Sequence, residues 1–147
     1  EAQLFSGTEN IISIGALAEA VKICCNDLKN NMDNMKELDN YFISLLSKKN
    51  INYKINGGNR VRGILNLTLP YTNSPSFIIS LDKEGYAISS GSACASGSIK
   101  GSHTLKEIGL NDSDIEKSYR ISFGKFHTKE DVKNLFYALA SHIKEKA

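Results

Sequence analysis

The sequence predicts an α/β protein in the broad sense: a small mixed or antiparallel sheet, helices packed on one face, and one long N-terminal helix. Three observations predict it. Apolar residues recur at steps of three and four from about residue 9 to residue 49. After that, short runs of two-residue alternation are interspersed with short helical patterns. The 147 residues make one domain by length, enough to bury a core.

The long helix would carry Ile14, Leu17, Ala18, Val21, Cys25, Leu28, Met32, Met35, Leu38, Phe42, Leu45 and Leu46 on one core-facing stripe. Unbroken, it would run about 60 Å, wider than a small domain, so it should kink or bridge to other structure. Asn30-Asn31 is the expected weak point, because Asn is a poor helix former. Cys24 and Cys25 lie in the stripe or on its edge. Neighbours on a helix point about 100° apart and cannot clamp one metal from a single face, so core packing is the reading for both.

Residues 51–55 alternate as a half-buried strand, and Asn56-Gly57-Gly58-Asn59 is a turn. A second alternating strand runs from residue 64 to residue 69 and stops at Pro70, which lacks an amide donor. Ser74-Pro75 reads as an N-cap and first helical position, with the helix closing at Gly85. Residues 86–89 form a short strand. Ser102 caps a short helix closed by Gly109, and Asp112 or Ser113 starts another turn. Residues 117–123 form a strand with Tyr119, Ile121 and Phe123 on one face. Thr128 and Asp131 make a capping-box variant for the last helix, whose stripe is Val132, Leu135, Phe136, Leu139 and Ile143.

Composition narrows the function classes. Hydrophobic residues are 41% and charged residues 23%, as in soluble globular proteins. A net charge of +2 is too small to argue for nucleic acid or an anionic membrane. No apolar run approaches the roughly 18 residues of a membrane helix. Three cysteines without paired spacing argue against a secreted disulfide framework, so a reducing cytoplasm fits best. No metal-ligand spacing stands out. Arg60-Val61-Arg62 suits either a small anion site or a solvated turn, with the turn favoured.

Four residues bear on chemistry. Cys94 stands alone in a ten-residue run, residues 89–98, that is otherwise Ser, Gly and Ala. It reads as a chance cysteine in a linker or as an exposed, travelling nucleophile supported as a thiolate. A phosphate loop is a third reading, but the Walker spacing fails. His103 is close enough in sequence to pair with it, though a first-turn helix role is favoured. Arg120 lies opposite the core-facing Tyr119 and Ile121; it is either a solvated strand arginine or a guanidinium fork for a carboxylate. Thr8, after Gly7 at the mouth of the long helix, is either an ordinary N-cap or part of an anion site at a positive helix end.

Together these segments resemble the C-terminal part of the NifS-type cysteine desulfurases, in the class V aminotransferase family of pyridoxal-phosphate enzymes. The matching stretches are Ser6-Gly7-Thr8-Glu9-Asn10, Leu65-Asn66-Leu67, residues 89–105 around Cys94, and residues 120–124. The resemblance spans essentially the whole chain and is closest to the subgroup with an extended cysteine loop. It implies the small α+β domain of a fold-type I enzyme, residues 1–147, lacking the large cofactor-binding domain. It implies that Cys94 takes sulfur from L-cysteine as a persulfide, releasing L-alanine. By the same resemblance Arg120 holds the substrate carboxylate, and Thr8 reaches across a homodimer to the cofactor phosphate. Acceptors in such a family are iron–sulfur scaffold proteins and sulfur carriers for tRNA or thio-cofactor synthesis.

Phe5 and Gly63 depart from the pattern, standing where the family usually has arginine and asparagine. The aldimine-forming lysine, stacking histidine and pyridine-pairing aspartate of the family have no counterpart here. The first residue, Glu1, falls inside a family motif, so the expectation is a cut piece that does not hold pyridoxal 5'-phosphate in a catalytic state by itself. A selenocysteine lyase or other class V enzyme, a cofactor-free sulfur carrier, and a degenerate interaction paralogue are the alternatives.

Overall fold

The computed structural model describes residues 7–72, 74–90 and 102–143. Helix α1 (Ile11–Lys48) runs without interruption for 38 residues, through Asn30-Asn31. Asn10, not Thr8, is its N-cap, the side chain accepting from the Ser13 N–H at 3.0 Å. The expected core-facing stripe holds only for the C-terminal half. Leu38, Phe42 and Leu46 are buried, while Ile14, Leu17, Val21, Leu28 and Met32 are exposed. Cys24 and Cys25 are exposed too, so core packing is the wrong account of them. The reason is geometric. Residues 11–30 are exposed throughout, and at the helical rise they carry the chain about 30 Å away from the packed half.

Strands β1 (Lys54–Ile55), β2 (Ile64–Thr68), β3 (Ser89–Ser90) and β4 (Ser118–Ser122) make one sheet in the order β1-β2-β4-β3, every pair antiparallel. Helices α2 (Ser74–Lys83), α3 (His103–Glu107), α4 (Asp112–Glu116) and α5 (Lys129–His142) complete the fold. The two outer strands are shorter than their sequence pattern. Ile51, Tyr53, Tyr86 and Ile88 pack against the core from irregular backbone instead.

One face of the sheet is apolar. Leu65, Leu67, Tyr119 and Ile121 point into a core shared with Leu38, Phe42, Phe77, Val132, Phe136 and Leu139. Phe77 and Tyr119 pack as tilted rings at 4.7 Å, and Phe42 and Phe123 at 5.8 Å, between ring centroids. The buried Tyr119 hydroxyl needs a partner and donates to Thr72 Oγ1 at 2.8 Å. The α5 stripe is buried as its spacing predicts, with Ile143 at its edge.

Gly63, at the start of β2, has a structural reason to be glycine. Its φ is 87°, and a Cβ there would stand 3.0 Å from Met35 Cβ and 3.1 Å from the Phe123 carbonyl. Asparagine tolerates the backbone angle but still carries that Cβ. Gly57 has a similar φ of 84° with open space around it. Gly63→Ala is therefore expected to cost about 1–3 kcal/mol in urea unfolding, and more than Gly57→Ala.

The Thr128–Asp131 capping box forms as its sequence predicts. The Thr128 backbone N–H and hydroxyl both donate to Asp131 Oδ2 at 2.7 Å. The Thr128 side chain, then its backbone, hold the Asp131 carboxyl below its ordinary value of 3.8. A lowered acid stabilises the fold above its unfolded pKa and loses that contribution as pH falls through the folded one. Asp131→Ala should lower the urea midpoint at pH 7, and its gap from the parent should narrow as pH drops below 3.8.

Candidate functional site

The face of the sheet turned away from the core is polar, and strand register decides what it displays. With Leu65, Leu67, Tyr119 and Ile121 inward, period-two alternation turns Asn66, Thr68, Ser118 and Arg120 the other way. Asn66 is paired across the strands with Arg120, and Arg120 with Ser89. Just past β1, the Asn56 N–H donates to the Asn66 carbonyl at 2.9 Å. Asn56, Asn66, Arg120 and Ser89 thus form one row across all four strand positions.

Half of that face is sealed. Asn56, Thr68 and Ser118 are buried polar residues. Asn56 Nδ2 donates to Asn66 Oδ1 at 2.7 Å and to Thr68 Oγ1 at 2.9 Å, with Ser118 Oγ 3.1 Å away. Ser118 Oγ in turn donates to the Asp114 carbonyl at 2.7 Å. Mutual hydrogen bonding offsets the cost of burying these groups and makes the arrangement stiff. Arg120 lies beside this network, half-buried, with Nη2 3.5 Å from Ser89 Oγ. Among the described residues no carboxylate pairs with it, and Ser89 Oγ is its side-chain neighbour; a guanidinium so placed has the geometry to take an anion.

The structure places two of the three residues predicted from sequence. Arg120 is on the polar face, as alternation requires. Thr8 is exposed, two residues ahead of the α1 N-cap and after Gly7 at φ 110°. It stands at the far end of the projecting half of α1, so Thr8 and Arg120 are not brought together. Cys94 lies outside the described residues, as does Phe5; β3 ends at Ser90, four residues before Cys94 in sequence. His103 opens α3 as an exposed helix residue, 3.6 Å from Glu107.

Sequence reasoning missed a charge cluster. Asp39 is fully buried on α1, and Arg60 reaches it at 2.7 Å with Arg62 at 3.5 Å. Val61 and Arg62 are exposed at a turn, as the solvated reading expects, but Arg60 is tied into the fold. A signal existed: Asp39 lies four residues after Met35 and three before Phe42, inside the apolar stripe. Its Oδ1 has no partner among the described residues. Beside it, residues 57–62 with Ile43 and Ile55 line a groove of about 660 Å³, which contains neither Thr8 nor Arg120. Removing one member of a buried pair strands the other charge. Arg60→Ala should destabilise the protein by about 3 kcal/mol in urea unfolding, and Arg62→Ala by less than about 1 kcal/mol.

Among the described residues no cluster of His, Cys, Asp or Glu could hold a metal, and no helix is long and apolar enough to cross a membrane.

Comparison with known proteins adds the following. The family model for aminotransferase class-V matches residues 1–135. The cysteine desulfurase IscS of Dictyoglomus turgidum is 32% identical over 129 residues, 86% of this chain and 33% of that protein. A putative cysteine desulfurase IscS 1 of Bacillus subtilis is 32% identical over 142 residues, 95% of this chain and 38% of that one. Among solved structures, a NifS-like protein from Rickettsia africae superposes with a TM-score of 0.77 at 26% identity, over 92% of this chain and 35% of that one. A second NifS-like protein superposes equally well, with a TM-score of 0.77 at 22% identity, and shows the same fold. The chain spans about a third of the length of the curated relatives it matches.

Proposed function

The chain belongs to the class-V aminotransferase family, and on that premise we propose that it carries the sulfur-accepting and carboxylate-holding residues of a pyridoxal-phosphate-dependent cysteine desulfurase. The observation that carries this reading is the position of Arg120. It is a half-buried guanidinium on a stiff polar row, with no carboxylate partner among the described residues, cross-strand from Ser89 on the strand that leads into the segment holding Cys94.

L-cysteine is the substrate. Arg120 grips its carboxylate with two charge-assisted bonds, which fixes how the thiol is presented. The Cys94 thiolate attacks the substrate sulfur. An S–S bond forms, the substrate C–S bond breaks, and the electron pair stays with the carbon, which takes a proton to give L-alanine. Sulfur is left as a persulfide on Cys94, for delivery to an iron–sulfur scaffold or sulfur-carrier protein. Bound pyridoxal phosphate supplies the electron sink that makes the C–S bond breakable.

The described residues fit one edge of such a cofactor rather than its whole surround. Thr8 offers an exposed hydroxyl at the positive end of a 38-residue helix, which suits a phosphate. Its distance from the sheet supports Thr8 serving the cofactor of a second subunit in a homodimer, while Arg120 serves its own. The chain by itself is then expected to release no sulfide from cysteine, and the setting is cytoplasmic.

Two substitutions test this in the protein with its cofactor bound. Cys94→Ser should abolish sulfur transfer while leaving the cofactor absorbance band intact; loss of the band would make the thiol structural instead. Arg120→Lys should raise the KM for cysteine by at least about tenfold, since lysine keeps the charge but not the planar fork. An unchanged KM would mean the carboxylate is held elsewhere.

A further inference from the structure

We infer that Asn66 is a second substrate-binding residue, donating from its side-chain amide to the same carboxylate that Arg120 holds. The inference rests on the reading of Arg120 given above and adds a residue to it.

Register carries the argument. The Phe123 N–H donates to the Gly63 carbonyl at 2.7 Å, and the Leu69 N–H to the Lys117 carbonyl at 2.9 Å. Both are hydrogen-bonded pairs of the β2–β4 ladder. In an antiparallel ladder such pairs alternate with non-hydrogen-bonded ones, and counting inward from either end puts Asn66 and Arg120 on a non-hydrogen-bonded pair. There the Cα atoms approach to about 4.5 Å and the side chains lie closest. Asn66 is therefore the cross-strand neighbour of Arg120 on the same face, its amide turned toward Asn56 and the guanidinium toward Ser89, with the row between them left for a ligand oxygen.

The amide is also oriented. Asn66 Oδ1 is taken by Asn56 Nδ2 at 2.7 Å. Asn56 is itself locked, its Oδ1 accepting from Thr68 Oγ1 at 3.2 Å while its Nδ2 faces Thr68 and Ser118. With its oxygen occupied, Asn66 keeps its Nδ2 for another acceptor, and among the described residues that nitrogen has none. A neutral donor beside a cation suits a carboxylate. The fork of Arg120 uses one lone pair on each oxygen, and a second lone pair remains for the amide. A carboxylate, unlike an uncharged or cationic group at that position, satisfies both.

The test compares ligands in the cofactor-bound protein. L-cysteine and cysteamine share a thiol and an amine, and only L-cysteine has a carboxylate. Binding of each is read from the change in cofactor absorbance. Asn66→Ala should weaken L-cysteine about tenfold, as expected for a lost bond to a charged group. Cysteamine binding should change by less than about twofold. Asn66→Asp keeps an acceptor for Asn56 while removing the donor, and should weaken L-cysteine at least as much; it carries the test if Asn66→Ala does not fold. Equal weakening of both ligands, or of neither, would overturn the inference while leaving Arg120 in place. Should Arg120→Ala leave the preference for L-cysteine over cysteamine intact, the reading of Arg120 falls and this one falls with it.

Discussion

The antiparallel pairing of β2 with β4 is the constraint on which the rest of this structure depends. It joins the two longest strands at the middle of the sheet and fixes two faces at once. Inward, it stacks Leu65 against Ile121 and Leu67 against Tyr119 as the floor of the core. Outward, it sets Asn66 beside Arg120 and Thr68 beside Ser118. A slip of one residue would exchange the faces, burying Arg120 among phenylalanines and exposing Tyr119. The chemistry of the outer face is thus enforced by the hydrophobic cost of any other register.

The ends of that pairing are held by two less obvious devices. At one end Gly63 lets α1 approach the ladder closely, with the Phe123 N–H bonded to its carbonyl. Nearby, Arg60 reaches from the segment before β2 to the buried Asp39 of α1, tying helix to strand through charge rather than packing. Gly63 departs from the family pattern at a point where backbone and crowding both favour glycine. The departure therefore reads as a local solution to packing and does not by itself indicate lost function.

Much of this was legible in the sequence, and the gaps have physical causes. The β4 alternation, the α5 stripe and the Thr128–Asp131 box depend on neighbours within a few residues, and all three are present. The Asp39–Arg60 pair spans 21 positions and follows no local period, so only the fold reveals it. The Asn56 network is hidden for the same reason: its members come from three separate stretches of chain. The α1 stripe misled in the opposite direction. Its period correctly marks a helix with an apolar face, but a period cannot say where the partner surface stops. Of the candidate site, Arg120 was legible because alternation alone fixes its face; Asn66 stood in a stretch that resembles the family, but its pairing with Arg120 needed the register.

The exposure of Cys24 and Cys25 on the projecting half of α1 has a consequence for sulfur accounting. Consecutive Cα atoms are only 3.8 Å apart and the side chains diverge around the helix, so the two cannot readily close a disulfide with each other. Each remains an open thiol, able to take up alkylating reagents or to exchange sulfur with a persulfide in solution. Thiol labelling of this chain therefore reads Cys24 and Cys25 together with any other accessible cysteine. Only a background in which Cys24 and Cys25 have become serine isolates the third cysteine of the sequence.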